Sequence, residues 1–220
     1  MKHTTAHLPR RILMSVCGVV TGALSVGMFR HAALGVDPFQ TLMSGLDAVI
    51  PIRYGTLYVL VNLLLLGFSL LTDRRKIGLA TFINLFLLGY IVEFSQAQCE
   101  RLLPAPSLGA RALLLLAAVV ILSLASALYF TADLGVSTYD AVALVWSERQ
   151  SRIPFPVCRV ITDSVCVVTG AALCLLSGRG LKGLFAAVGV GTLVTAFFMG
   201  PMIDFFNRRV ARPLLGESEA

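Results

Sequence analysis

Charged residues and the motifs of familiar enzymes are scarce in this sequence. Only 14% of its 220 residues are Asp, Glu, Lys or Arg, whereas about 25% is usual for a soluble protein. No GxSxG, HExxH, Walker or GxGxxG motif occurs in a usable context, and none of the three histidines has a partner at metal-ligand spacing. We therefore expect neither an enzyme nor a bound metal or cofactor.

Cysteines are also few, and their spacing argues against the usual redox and zinc motifs. The five cysteines form no CxxC pair, and four of them lie inside apolar runs, where cysteine normally behaves as a small hydrophobic residue. They are Cys17, Cys99, Cys158, Cys166 and Cys174. A disulfide framework or a cysteine metal site is therefore not expected.

Apolar residues are abundant and make up 57% of the chain. Several apolar runs approach the roughly 20 residues that cross a bilayer as a helix. The net charge of +6 comes mostly from Lys and Arg in the short connections between these runs, where basic residues orient helices in a membrane. The composition predicts an integral membrane protein that contacts the lipid bilayer and binds no nucleic acid.

One stretch of the chain occurs twice, 100 residues apart. Residues 34–42, LGVDPFQTL, return in altered form at residues 134–142, LGVSTYDAV. Further residues match in the same order: Gly78 with Gly189, Thr81 with Thr192, Glu93 with Asp204, and Asn62 with Asp163. Such a period is too long for a solenoid and is typical of a duplicated membrane module. We expect one membrane domain over residues 1–220, with repeat one at 11–98 and repeat two at 111–207.

The apolar pattern predicts an all-α integral membrane fold with six transmembrane helices and two short half-helices. The spans are expected at residues 12–29, 55–71, 77–94, 112–130, 155–176 and 181–206, and the short elements at 39–50 and 138–146. The short elements fall well below the roughly 20 residues of a spanning helix. They are therefore interpreted as re-entrant, facing protein or a water-filled cavity. The first span follows basic residues, as in a signal peptide, but its length and its recurrence in the second half predict that it is retained.

Two topologies remain open from the sequence. If the short elements do not cross the membrane, there are six spans and the halves are inverted. If they cross, there are eight spans and the halves are parallel. In both cases eleven Lys and Arg lie on the side of the N-terminus and six lie opposite. The positive-inside rule thus puts both termini in the cytoplasm but does not choose between the topologies; segment length favours six spans.

Polar residues within the apolar runs are the first candidates for a site, because ionisable groups at bilayer depth are costly. Asn62 and Asp163 lie seven or eight residues into their predicted helices. One hypothesis is that they line a cavity between the halves and contact a polar solute. The other is structural: Arg159, four residues before Asp163, forms an ion pair with it, and Asn62 bonds a neighbouring helix.

A second group of candidates begins the short elements: Asp37, Gln40 and Asp140. An acidic residue at a helix N-terminus is often a simple cap. In repeat transporters, however, the N-termini of half-helices form part of the solute site. Thr81 and Thr192 follow small residues near helix starts and either bond their own backbone or contribute to the same site.

These motifs resemble those of the bacterial YczE/YitT-type membrane proteins. The resemblance rests on LGVDPFQTL with Ser44-Gly45-Leu46, on Gly55-Thr56, and on the later Gly189–Thr192 and Gly200–Asp204. Where that group carries a tryptophan and an acid after the proline, this chain has Phe39 and Gln40. The resemblance covers nearly the whole chain and implies a multi-pass protein of the bacterial inner membrane, with no particular chemistry.

Duplication, half-helices and polar residues within spans together favour a transporter or permease that binds a small solute between the repeats. The main alternative is a non-transporting membrane factor that supports a partner protein or a biosynthetic or secretion system. A substrate-binding subunit that needs a separate energising complex is a third hypothesis, since the chain has no ATPase motif. A second copy of the chain, forming a homodimer, is a further candidate partner.

Overall fold

A computed structural model describes residues 8–72, 77–135, 137–149, 155–178 and 180–216, and the elements in these ranges are helices. They are α1 (Leu8–Ala32), α2 (Pro38–Val49), α3 (Tyr54–Thr72), α4 (Leu79–Leu102), α5 (Leu108–Ala132), α6 (Thr138–Arg149), α7 (Phe155–Leu176), α8 (Gly180–Ala187), α9 (Val190–Phe206), a π-helix (Asn207–Ala211) and α10 (Arg212–Leu215). The predicted all-α class is confirmed.

Several of these helices have the length and apolarity of membrane spans. Four stretches qualify within the described part of the chain: Leu8–Ala32, Tyr54–Thr72, Ala80–Leu102 and Leu108–Ala132. Two shorter apolar stretches follow, Val160–Leu176 and Gly183–Thr195. These helices are compatible with the predicted multi-pass membrane protein, while the count of six spans stays a prediction.

Some predicted boundaries are wrong. The helix expected at 181–206 is broken between α8 and α9, because the chain is extended at Gly189. Residues 95–111, between the third and fourth predicted spans, are mostly helical, since α4 continues to Leu102 and α5 begins at Leu108. The polar tail after Phe206 is helical as far as Leu215.

The first helices of the two halves, α1 and α5, pack closely and run antiparallel. Near the start of α1, Arg11 donates to the carbonyls of Thr131 and Ala132 at the end of α5. Near the start of α5, Arg111 donates to the carbonyls of Ala32 and Ala33 at the end of α1. Each arginine thus satisfies carbonyl groups that a helix C-terminus leaves without partners.

Other helices pack around the α1–α5 pair. α4 lies beside α1 in the same direction, since Ser95 donates to the Leu24 carbonyl and His31 contacts the Leu103 carbonyl. α3 runs antiparallel to α4. The short helices cross between the halves: α2 packs on α7, and α6 packs on both α3 and α7.

The two glycine turns are docked by matching contacts. Gly35, with φ +103°, lies against Gly189 and Thr192, whereas Gly135, with φ +111°, lies against Gly78 and Thr81. A Cβ atom at Gly35 would approach the Gly189 nitrogen to 2.5 Å, and one at Gly135 would approach the Gly78 nitrogen to 2.6 Å. Each turn therefore requires glycine for its positive φ and for the closeness of the facing backbone.

Backbone hydrogen bonds strengthen both docked turns. The Leu34 carbonyl accepts from the Gly191 N–H at 2.7 Å, and the Leu134 carbonyl accepts from the Ala80 N–H at 3.1 Å. The turn of each half is thus fastened to the start of a helix in the other half.

Candidate functional site

The N-terminal turns of the two short helices meet inside the protein. Phe39 in α2 and Tyr139 in α6 stack with ring centroids 4.9 Å apart and planes 22° from parallel. Tyr58 of α3 meets the Phe39 ring edge-on at 6.0 Å. Phe39, Tyr58 and Tyr139 are all buried. This aromatic cluster brings together the starts of α2 and α6, which the sequence repeat marks as equivalent positions.

On the α6 side of this cluster lie Asn62 and Asp163. The Thr138 hydroxyl donates to Asn62 Oδ1, and the Asn62 amide donates to the Tyr58 carbonyl at 2.8 Å. The Tyr139 hydroxyl donates to Asp163 Oδ1. Asn62 is only 1% exposed, whereas Asp163 is half-buried. Adjacent residues of α6 thus bond Asn62 of α3 and Asp163 of α7. That the two residues line a solute cavity stays a prediction.

On the α2 side lies a charged network that joins α1, α2 and α3, and that reaches α4 through Gln96. The Tyr54 hydroxyl of α3 donates to Gln40 Oε1 of α2, and both residues are buried. The Arg30 guanidinium of α1 lies 3.9 Å from the centroid of the Tyr54 ring. Arg30 also forms an ion pair with Asp47 of α2 at 3.2 Å. Gln40, predicted to be a site residue, is thus linked through Tyr54 to the partly buried guanidinium of Arg30.

Asp37 and the two threonines have local structural partners. Asp37 is the N-cap of α2, and its side chain accepts from the Gln40 N–H at 3.1 Å. Thr81 and Thr192 accept from the N–H groups of Gly78 and Gly189 at 3.2 and 3.3 Å, which begins α4 and α9. Thr192 also donates to the Val36 carbonyl at 2.8 Å. The geometry of these three residues agrees with the capping interpretation of the sequence.

Two predicted site residues lie outside the part of the structure that can be described. Asp140 is the third residue of α6, and Arg159 is the fifth residue of α7, but their side chains are among those not described. The predicted ion pair between Arg159 and Asp163 therefore stays a prediction.

Sequence reasoning missed the centre of the charged network. Arg30 closes a long apolar run, a position from which arginine usually reaches the membrane interface, yet its side chain is only 13% exposed. The sequence carries one signal for an ion pair: Asp47 lies seventeen residues after Arg30, in the predicted short element. Asp37, the N-cap of α2, is the other acidic residue between Arg30 and Asp47. Tyr54 and Gln96, which accepts from Arg30 Nε at 2.7 Å, carried no comparable signal.

The chemistry available at these positions is hydrogen bonding and charge recognition. Within the described residues, no group of three His, Cys, Asp or Glu side chains comes close enough to hold a metal ion. Among the described residues, the polar groups here are amides, hydroxyls, carboxylates and the Arg30 guanidinium. Such groups fix the orientation of a small polar molecule in an otherwise apolar pocket.

Comparison with known proteins assigns the chain to a family. The model of a family of unknown function, DUF6198, matches residues 9–208. The chain belongs to the DUF6198 family. That match contains both glycine turns, the aromatic cluster and the charged network.

An individual relative agrees with this assignment along almost the same length. The chain is 24% identical over 201 residues to the uncharacterized protein YyaS of Bacillus subtilis (strain 168), covering 91% of this chain and 94% of the relative. No solved structure matches the chain. The resemblance to YczE/YitT-type proteins stays a prediction, since neither match carries that name, while a family of membrane-like proteins is supported.

Proposed function

We propose that this DUF6198 protein is a transporter or permease that binds a small solute between two inverted repeats. In this proposal the chain has six spans and two half-helices, α2 and α6, and lies in a bacterial inner membrane with both termini in the cytoplasm. The repeats are those expected from the sequence, residues 11–98 and 111–207.

Helix directions support the six-span topology over the eight-span one. With six spans, the first helices of the two halves cross the membrane in opposite directions, and the first and third spans cross in the same direction. The antiparallel α1 and α5, and the parallel α1 and α4, have these relations. With eight spans both relations would be reversed, because each short element would add a crossing.

The observation that carries the proposal is the meeting of the α2 and α6 N-termini among buried polar side chains. Helix N-termini carry partial positive charge and free N–H groups. In transporters built from repeats, half-helices of this kind end at the solute site between the repeats. Here Asn62, Asp163 and Gln40 lie around the stacked Phe39 and Tyr139. The site therefore contains groups from both halves, as alternating access requires.

The transport test uses the purified protein in proteoliposomes. The liposomes are incubated with the small-molecule fraction of a bacterial extract, and their contents are compared by mass spectrometry with those of protein-free liposomes. We expect at least one solute to accumulate, and we expect Asn62→Ala and Asp163→Asn to reduce its uptake.

Ser164→Ala is the matched control for these variants. Ser164 is next to Asp163, but it is exposed and its hydroxyl bonds its own helix at the Val160 carbonyl. Uptake should be unchanged in this variant. Full uptake by both Asn62→Ala and Asp163→Asn would remove those residues from the site, and no accumulation of any solute would contradict transport.

Labelling of single cysteines tests the topology. In a variant without native cysteines, Arg74→Cys should react with an impermeant maleimide only after the membrane is opened, because six spans put this connection in the cytoplasm. Arg101→Cys, in the last turn of α4, should react from outside. Labelling of Arg74→Cys from the outside would contradict the inverted arrangement.

One observation favours the non-transporting factor instead. The Asn62 side chain donates to the Tyr58 carbonyl and accepts from the Thr138 hydroxyl. These hydrogen bonds within the protein explain a polar residue here without any solute. Under this second candidate, the protein would co-purify with a stable partner protein from its native membrane and would show no solute-dependent change in thermal stability.

A further inference from the structure

The Arg30 guanidinium is held from three directions inside the helix bundle. Its Nε donates to Gln96 of α4 at 2.7 Å, its Nη2 meets Asp47 of α2 at 3.2 Å, and its plane lies over the Tyr54 ring of α3. The Arg30 and Asp47 side chains are 13% and 19% exposed. A guanidinium fixed in this way is oriented in advance for a further partner, because little side-chain freedom remains to be lost.

The Nη1–Nη2 edge of this guanidinium does not make all the hydrogen bonds that it could donate. Nη1 is buried and makes no hydrogen bond with any residue in the described ranges. Asp47 contacts Nη2 through one oxygen, Oδ2. The strongest arginine–carboxylate pairs instead have two parallel N–H···O bonds. A buried donor without a partner costs free energy and calls for an explanation, such as a water or an ion.

We propose that Arg30 recognises a carboxylate group of the solute, and that Asp47 is an internal competitor which occupies Arg30 when the solute is absent. This inference rests on the proposed transport function and names the chemical class of its solute. A planar carboxylate bridging Nη1 and Nη2 would use the free donor and form the bidentate pair that Asp47 does not form. Arg30 stays neutralised by a carboxylate in the exchange, while the negative charge of Asp47 is released from Arg30 and the solute adds one negative charge to the site.

The exchange also links binding to helix packing. Asp47 lies in the last turn of α2, whose first turn carries Gln40 and Phe39. When a solute carboxylate takes Arg30, the ion pair joining α1 to α2 is released. Gln40 remains joined to Tyr54, whose ring lies under the guanidinium. Solute binding at Arg30 would thus change the packing of α2 at the aromatic cluster between the halves.

The competing explanation is that the Arg30–Asp47 pair only ties α1 to α2. The chain provides a matched control in the Arg53–Glu93 pair, which joins the start of α3 to α4 at 3.0 Å. Arg53 is 72% exposed, so its guanidinium can be hydrated and should not select a carboxylate. Comparing the same substitutions in both pairs separates recognition from tethering.

The first measurement is the binding of radiolabelled acetate to the full-length protein in detergent, with sodium chloride at matched ionic strength as the reference. We expect saturable binding by the wild type, loss of binding in Arg30→Lys, and retention in Arg53→Lys. Lysine keeps the charge but lacks the planar pair of donors. No saturable acetate binding by the wild type, or unchanged binding by Arg30→Lys, would overturn the proposal.

The second measurement is the thermal shift that acetate produces in Asp47→Asn and in the control Glu93→Gln. Removing the competitor should lower the acetate concentration at half-maximal shift by about tenfold, a change typical of a lost charge-assisted contact. Glu93→Gln should respond like the wild type. A tether without recognition predicts instead that Asp47→Asn is less stable and gains no response to acetate. The acetate-binding measurement still decides if Asp47→Asn does not fold.

The two proposals can fail separately. Acetate binding at Arg30 without uptake of any solute would retain the carboxylate site and remove transport. Uptake of a solute that lacks a carboxylate, unaffected by Arg30→Lys, would retain transport and remove the carboxylate site.

Discussion

The two halves of the molecule agree in their scaffold and differ in their polar centres. Both have a glycine turn docked on the start of a helix in the other half, and both have an arginine that caps the first helix of the other half. Around the aromatic cluster they diverge. The first half contains the Arg30–Asp47 ion pair, whereas the same positions 100 residues later are Phe130 and Ser147.

This difference separates the parts that build the fold from those that carry chemistry. Backbone contacts at the turns depend on shape, so a chain that arose by duplication would retain them in both copies. Under the proposed function, the polar site need only occur once, since a solute between the halves would contact both. Arg30 and Asp47, which have no polar counterpart in the other half, are therefore functional candidates. The matched positions Asn62 and Asp163, which carry different polar groups, are the others.

The largest expected effect comes from substitutions in the glycine turns, which both halves share. Gly35→Ala and Gly135→Ala each add a Cβ atom at positive φ against the backbone of a facing helix start. We expect each to lower the free energy of unfolding by about 2–4 kcal/mol, through backbone strain and overpacking. Thermal unfolding in detergent measures this effect. Gly67→Ala is the control, since it is helical and a Cβ there would meet nothing within 4 Å.

Equal losses at the two turns would support their equivalence. A loss at Gly35 with none at Gly135 would show that the turns are not alike in their energetic contribution, whatever their geometry.

A smaller effect should distinguish the polar partners of α6. Asn62→Leu leaves the Thr138 hydroxyl without its acceptor in a buried place, which should cost about 1–3 kcal/mol. Tyr139→Phe should cost less, because Asp163 is half-buried and can be hydrated. Chemical unfolding in detergent gives both values. Thr138→Val combined with Asn62→Leu should cost less than the sum of the single variants, because the same hydrogen bond is removed in each. Strict additivity would argue against that bond.

The smallest effect concerns the reciprocal arginine caps. Arg11→Gln and Arg111→Gln each remove a cation from the C-terminus of a neighbouring helix, with an expected cost of about 0.5–1.5 kcal/mol. Because the arginines lie at opposite ends of the α1–α5 pair, their effects should add. Thermal unfolding of the single and double variants checks this, and strong coupling would indicate that the two ends do not act independently.

Much of the fold could be predicted because it depends on local patterns. Apolar run lengths located the main helices, and the Asp37-Pro38 signal gave the start of α2 correctly. Gly78 and Gly189, which match in the sequence, both begin helices with the same cap geometry, although Gly189 was predicted to lie within a helix. Boundaries failed where the pattern is not local. The break before α9 occurs where residues 34–36 of the other half bond the chain, and no nearby residue signals such a contact.

The candidate site could be predicted only in part, for the same reason. Asn62, Asp163 and Gln40 are conspicuous because they are polar in apolar surroundings, and the structure places them around one aromatic cluster. Arg30 is not conspicuous at the end of a run, where arginines usually reach water. Only the approach of α2, α3 and α4 to the last turns of α1 buries it and gives it partners.

The amino-acid sequence by itself determined that this chain is helical and suited to a membrane, with a motif that occurs twice, because composition and spacing are properties of each segment alone. The tertiary structure decided which helix of one half meets which of the other, and that α1 and α5 run in opposite directions. It also decided that a guanidinium and a carboxylate seventeen residues apart lie 3.2 Å from each other. Those facts depend on how separate segments pack, and packing depends on shapes and directions that no single stretch of sequence encodes.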